Sequence, residues 1–178
     1  MDDEQSVEIE VIRSAGRSKT ASARWDTPGK KVVVRVPDGL EPGEEERLVT
    51  ALVARVRAGL RRRTLNGDDA LAQRAAELNR RYFGGRLHPS SVAWVTNQRG
   101  RYGSCTPATR TIRISDRVAT LPQWVQDYVL VHELAHLLEG NHGAAFWKLV
   151  SRYPLAERAR GYLMALGLEA MEGPETGV

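Results

Sequence analysis

Apolar and polar positions alternate with period two near the start of the chain. Residues 7–13 (VEIEVIR) place Val7, Ile9 and Val11 on one face, and residues 31–36 (KVVVRV) form the clearest strand. Turn formers bracket the latter, Thr27-Pro28-Gly29 before it and Pro37-Asp38-Gly39 after it. With a further strand over residues 18–25, this pattern predicts a small antiparallel sheet. The period then becomes helical. Across residues 42–62, Leu48, Val49, Leu52, Val53, Val56 and Leu60 recur at helical spacing. Glu44, Glu45 and Glu46 open this helix, and Arg61, Arg62 and Arg63 close it, an arrangement that complements the helix dipole.

Asn66-Gly67-Asp68 breaks the pattern and supplies an N-cap for a second helix over residues 69–83, which Gly84-Gly85 ends. Leu71, Ala75, Leu78 and Tyr82 form its stripe. Strands follow at residues 91–97 (SVAWVTN) and 109–115 (TRTIRIS), as a hairpin or as two adjacent strands. The intervening RGRYGSCTPA is rich in turn formers. Thr120 as N-cap, Pro122 in the first turn and Gln123 at the capping-box position predict a helix over residues 121–139. That helix is apolar around much of its circumference, which places it against a sheet. A helix carrying Phe146, Trp147 and Val150 comes next. Pro154 interrupts it, and a short helix spans residues 155–168. The expected class is α+β: a twisted, mostly antiparallel sheet packed on the helix of residues 121–139, plus the small N-terminal sheet. Residues 1–40 are a β region of the same domain, residues 41–165 its main body, and residues 166–178 a mobile tail.

Composition narrows this little. The chain has 178 residues, 42% hydrophobic and 27% charged, and a net charge of +4. This suits one soluble domain with a substantial core, or one with a small appendage, and permits an anionic partner without requiring one. The single cysteine, Cys105, excludes an internal disulfide. The start, MDDEQSVEIE, is acidic and lacks the apolar core of a signal peptide, and no apolar run is long enough to span a membrane. The cytoplasm is the expected compartment. The oligomeric state is not legible.

The chemistry concentrates in residues 128–147, YVLVHELAHLLEGNHGAAFW, which hold three of the four histidines. His132 and His136 are four residues apart, so on a helix they lie about 40° apart on one face, one turn above the other. Two imidazoles so placed can bind one ion. Glu133 lies about 100° further round and flanks the ion outside its ligand set. Metal-assisted hydrolysis needs this division: zinc lowers the pKa of a water to about 7, and a carboxylate takes the proton. On a continued helix His142 would sit roughly 9 Å beyond His136 on another face. Gly140-Asn141 can end the helix in the left-handed conformation and return His142 to the metal. One Zn2+ per chain, bound by His132, His136 and His142, is therefore expected, with Glu133 as general base. His88, before Pro89, reads as a surface residue.

Residues 91–154 resemble the YgjP-like metallopeptidase family, a zincin family, and the related SprT-like proteins. The resemblance is carried by RYGSC (residues 101–105), VHELAH (131–136) and NHGAAFW (141–147). LNRRYFGGRL (78–87) is the more SprT-like segment. The resemblance implies a zincin fold, ligation at His132, His136 and His142 and acid–base work at Glu133. The metzincins share the histidine spacing but have glycine three residues after the second histidine, where this chain has Glu139.

A zinc peptidase acting on polypeptide is the leading reading. An SprT-like, nucleic-acid-associated protease ranks lower: no zinc-finger cysteines accompany it, and any nucleic-acid binding is expected to be weak and electrostatic, with Arg61, Arg62 and Arg63 the first candidates. The resemblance also keeps a metal-dependent nucleotide pyrophosphatase in view, for which Arg99, Arg101 and Arg110 are the nearby cations. Against it stand the lack of a glycine-rich phosphate loop and of a carboxylate cluster for magnesium. A purely structural zinc site would not need Glu133. Cys105 reads as a buried, inert thiol, with zinc ligation the lesser alternative. RYGSC reads equally as a rim strand for an extended peptide or as a hairpin bend shaped by Gly103. Tyr102, Tyr128 and Tyr153 are candidate oxyanion donors, with packing the default role of each.

Overall fold

The structure is a computed structural model and describes residues 7–15, 20–98 and 100–166. It is of the expected α+β class, with two small sheets, each built around one buried central strand. The chain divides into two compact units, Met1–Arg61 and Arg62–Val178.

In the first unit, β1 (Glu8–Ser14), β2 (Ser22–Asp26) and β3 (Lys31–Pro37) form a sheet in the order β1-β3-β2. Val32, Val34 and Val36 of β3 are fully buried, as its apolar run requires. They form a cluster with Val53, against which Val11, Trp25, Leu48 and Leu52 pack. The sheet is mixed, not antiparallel: β2 pairs antiparallel to β3, but β1 runs parallel to it, with Val11 opposite Val34. Alternation shows which face of a strand is buried and says nothing of strand direction. Helix α1 (Pro42–Leu65) follows, with Glu44 and Glu45 in its first turn and Arg62 and Arg63 in its last.

The second unit begins with the last turn of α1 and the loop that leads to α2 (Ala70–Phe83). Its N-cap is Asp69, one residue past the expected Asn66-Gly67-Asp68 and in the left-handed region with φ 53°, while Asp68 accepts from the Ala70 N–H at 3.2 Å. Asn66 is not the cap. Its side chain instead bridges to Trp94, donating to the carbonyl at 3.1 Å and accepting from the N–H at 2.9 Å. Leu71, Ala75 and Leu78 are buried as expected, but Phe83, not Tyr82, completes the buried stripe. Gly84, with φ 64°, ends the helix in the left-handed region where glycine costs least.

Strands β4 (Ser91–Val95), β5 (Gly103–Thr106) and β6 (Thr111–Ser115) form the second sheet in the order β4-β6-β5. The segments expected at residues 91–97 and 109–115 are thus adjacent, but they run parallel. The hairpin partner of β6 is the RYGSC strand, β5, which lies at the sheet edge. Ile112 and Ile114 of the central strand are fully buried.

A 3-10 turn (Asp116–Thr120) leads into α3 (Gln123–Ala135). Thr120 closes that turn and is not the N-cap of α3. Pro122 holds the cap position, and Gln123 donates to Asp127 at 2.9 Å. Every residue from Asp127 to Ala135 is buried. Helix α3 packs against α2, β5, β6 and the two short helices that follow, α4 (Ala144–Val150) and α5 (Ala156–Ala165). The break at Pro154 is where the sequence puts it. The expected continuation of α5 to residue 168 and the tail of residues 166–178 fall, beyond Leu166, outside the described residues.

An ion pair fixes α3 against α2. The Arg74 guanidinium grips Asp127 in bidentate fashion, Nε to Oδ1 at 2.8 Å and Nη2 to Oδ2 at 2.5 Å. The Asp127 side chain is only 7% exposed, and its carboxylate holds the Arg74 pKa above the ordinary guanidinium value. Arg74→Ala would leave a buried carboxylate with only the Gln123 amide. It is expected to destabilise the protein by about 3 kcal/mol, the low end for a broken buried pair because Arg74 itself is partly solvated. Urea unfolding of the variant checks this; an unchanged midpoint would show that water enters to replace Arg74.

Candidate metal centre

Helix α3 delivers the first histidine. His132 lies in its last turn and is 4% exposed. His136 is the C-cap residue, and its N–H closes on the His132 carbonyl at 3.3 Å. The helix therefore stops four residues before the expected Glu139. Beyond Ala135 the chain tightens into turns, with Leu137 donating to Leu134 at 3.1 Å and Leu138 to Ala135 at 2.9 Å. Gly140 and Asn141 do not use the left-handed region: among the described residues, positive φ occurs elsewhere, at Gly39, Gly84 and Gly85 and at Lys30, Asp69 and Arg110. The tightened turn reverses the chain, and a Gly143 N–H to Asn141 carbonyl bond of 2.8 Å leads into α4.

His142 returns to the other two. Its Nε2 lies 3.1 Å from Nε2 of His132 and 3.0 Å from Nε2 of His136. This trio is the one group among the described residues whose side chains converge closely enough to hold a metal ion. Phe146 forms a wall common to the three rings, at centroid distances of 4.8, 4.5 and 4.6 Å from His132, His136 and His142. Trp147 stacks on His142 at 5.8 Å, and the Arg160 guanidinium lies over the Trp147 ring at 5.0 Å.

The trio fits a cation better than it fits itself. His136 Nδ1 lies 3.1 Å from the Glu139 carbonyl, so the proton belongs on Nδ1 and Nε2 offers a lone pair. His142 Nε2 faces two ring nitrogens, but a neutral imidazole has one proton and cannot donate to both. Burial, then the neighbouring His136 and His142, pushes the His132 pKa well below 6.5, so this ring is neutral and ready to ligate at physiological pH. Tetrahedral zinc with bonds of about 2.0–2.1 Å sets its ligands roughly 3.3 Å apart, close to the spacing found. The Nδ1 of His132 is buried and has no hydrogen-bond partner among the described residues.

Glu133, next to His132 on α3, is 5% exposed and lies against the start of β5. Cys105, two residues further along that strand, is not part of the metal-capable group. Burial, and secondarily the charge of Glu133, pushes its thiol up to about 11, so it stays protonated and inert. Of the tyrosines, Tyr102 donates to the Leu163 carbonyl at 3.2 Å and Tyr153 to the Trp124 carbonyl at 2.9 Å, which gives both structural roles. Tyr128, one turn before His132, is fully buried, and its hydroxyl has no partner among the described residues. Desolvation raises it to about 12. His88 is exposed and stands outside the cluster. Arg101 and Arg110 are exposed, and Arg99 lies outside the described residues.

A buried helix that presents two histidines, with a third folded back onto them, defines a metal-capable centre within an α+β unit. Comparison with known proteins gives that centre a context. The model of the YgjP-like metallopeptidase domain matches residues 51–164, and the chain belongs to this family. Membership implies a metal ion and a polypeptide substrate. No curated protein matches the chain. Among solved structures, the crystal structure of the metallopeptidase zymogen abylysin from Pyrococcus abyssi is similar at 21% identity and a TM-score of 0.48. The match covers 58% of this chain and 98% of that one. No helix among the described residues is long and apolar enough to cross a membrane.

Proposed function

We propose that the chain is a zinc-dependent peptidase whose ion is held by His132, His136 and His142 and whose general base and acid is Glu133. The observation that carries this reading is the approach of His142 Nε2 to 3.1 Å from Nε2 of His132 and 3.0 Å from Nε2 of His136, in a chain of a metallopeptidase family. Three neutral nitrogen ligands favour zinc and leave a fourth position open to water. The ion, when bound, supplies the Lewis acidity that makes a water nucleophilic near neutral pH and polarises a peptide carbonyl. The carboxylate of Glu133 takes the proton of the attacking water and returns it to the leaving amine. Strand β5 is an edge strand with Glu133 against its first residue. An extended peptide can add to its outer edge through backbone hydrogen bonds, which supports polypeptide as the substrate.

The test is a pair of assays on protein stripped with chelator and then reloaded with zinc. Fluorescein-labelled casein is expected to be cleaved by the reloaded protein only, and ATP to be left intact by both. Zinc-dependent release of phosphate or pyrophosphate from ATP, with casein uncut, would replace the peptidase reading by nucleotide hydrolysis.

A further inference from the structure

A β-carbon built on Gly103 would lie 2.5 Å from Oε1 of Glu133 and 2.8 Å from both its Cδ and its Cγ. Real β-carbons do not come that close to other heavy atoms, so any side chain at position 103 must displace something. Gly103 is not there to bend the chain: it pairs in register with Ile114, and the turn between β5 and β6 is at residues 107–110. Its φ lies outside the left-handed region, so its value is the missing side chain.

The strand is poorly placed to retreat. The preceding Tyr102 is tied at both ends, its carbonyl accepting from the Ser115 N–H at 2.8 Å and its hydroxyl donating to the Leu163 carbonyl at 3.2 Å. Ile114, across from Gly103, is fully buried. Side chains two apart on a strand share a face, so Cys105 is the next group along on the Glu133 side. The displacement must therefore fall on Glu133.

We infer that Gly103 is a positioning residue: the slot left by its missing side chain sets where the carboxylate of Glu133, the residue next to His132, stands. This rests on the reading of Glu133 as general base. A carboxylate moved by about 1 Å loses its alignment with the water, a misplacement that costs on the order of 100-fold in rate.

The experiment is a double-mutant cycle on zinc-loaded protein, with casein cleavage, metal content and melting temperature as readouts. Gly103→Ala is expected to keep its zinc and lower kcat about 100-fold with KM nearly unchanged. His88→Ala, an exposed imidazole outside the cluster, is the control expected to stay near wild type. In a Glu133→Gln background, Gly103→Ala is expected to add no further loss, because the group it displaces has already been disabled. Near wild-type kcat in Gly103→Ala, with Glu133→Gln inactive, overturns the inference and leaves the general-base reading intact. So does a loss that multiplies with that of Glu133→Gln. Full activity of Glu133→Gln removes the general-base reading itself, and this inference with it. If Gly103→Ala unfolds, the variant Gly103→Ala/Glu133→Ala is expected to recover the melting temperature by removing the clashing side chain; failure to recover it overturns the inference.

Discussion

Glu133→Gln is expected to retain its zinc and its melting temperature and to lose casein cleavage by about 100- to 10,000-fold, the range associated with a positioned general base. The amide has nearly the shape of the carboxylate, so it can occupy the same buried slot on α3. It has no basic site with which to take a proton from water. Replacing a buried charge by a neutral group also spares the fold a desolvation cost, so lost stability is not expected to confound the result. Metal content separates the roles on this helix: the neighbouring His132 should show its effect in zinc binding, Glu133 only in turnover. Cleavage at the wild-type rate by a zinc-loaded Glu133→Gln protein would assign the base elsewhere.

The convergence of the three histidines was more legible in the sequence than the fold around it. The histidine spacing and the apolar run of residues 125–135 are local, and local periodicity carries over directly into a buried helix with His132 in its last turn and His136 at its cap. The end of that helix was misplaced because Leu137, Leu138 and Glu139 continue a helical pattern; tertiary geometry halts the helix at Ala135, where the chain must turn to bring His142 back. Thr120 and Gln123 have capping-box spacing, but Thr120 is consumed by the preceding 3-10 turn. Strand directions could not be read, since alternation is the same in parallel and antiparallel pairs. The need for glycine at position 103 is invisible locally, because the atom that would collide belongs to a helix thirty residues further on, by the count from Gly103 to Glu133.

The largest expected effect on metal binding is at His142, the one proposed ligand beyond α3 and its cap residue His136. Its contribution depends on the turn after Ala135 and on the wall formed by Phe146 and Trp147, which lie 4.6 and 5.8 Å from its ring. His142→Ala is expected to weaken zinc binding about 100- to 1,000-fold. That figure follows from sharing the ~10–16 kcal/mol of a four-ligand structural zinc site among its ligands. The fold should survive, because His142 is only half-buried and the core residues of α3 do not depend on it. His88→Ala is the matched control, an exposed imidazole outside the cluster. Competition with a chromogenic chelator should therefore strip His142→Ala at concentrations that leave the wild type and His88→Ala loaded. Zinc stabilises whatever it binds only in the folded state, so at equal free zinc the melting temperature of the wild type should rise on loading and that of His142→Ala should rise less. Equal affinity in His142→Ala and His88→Ala would sink the third-ligand assignment and, with it, the view that the turn after α3 exists to close the metal site.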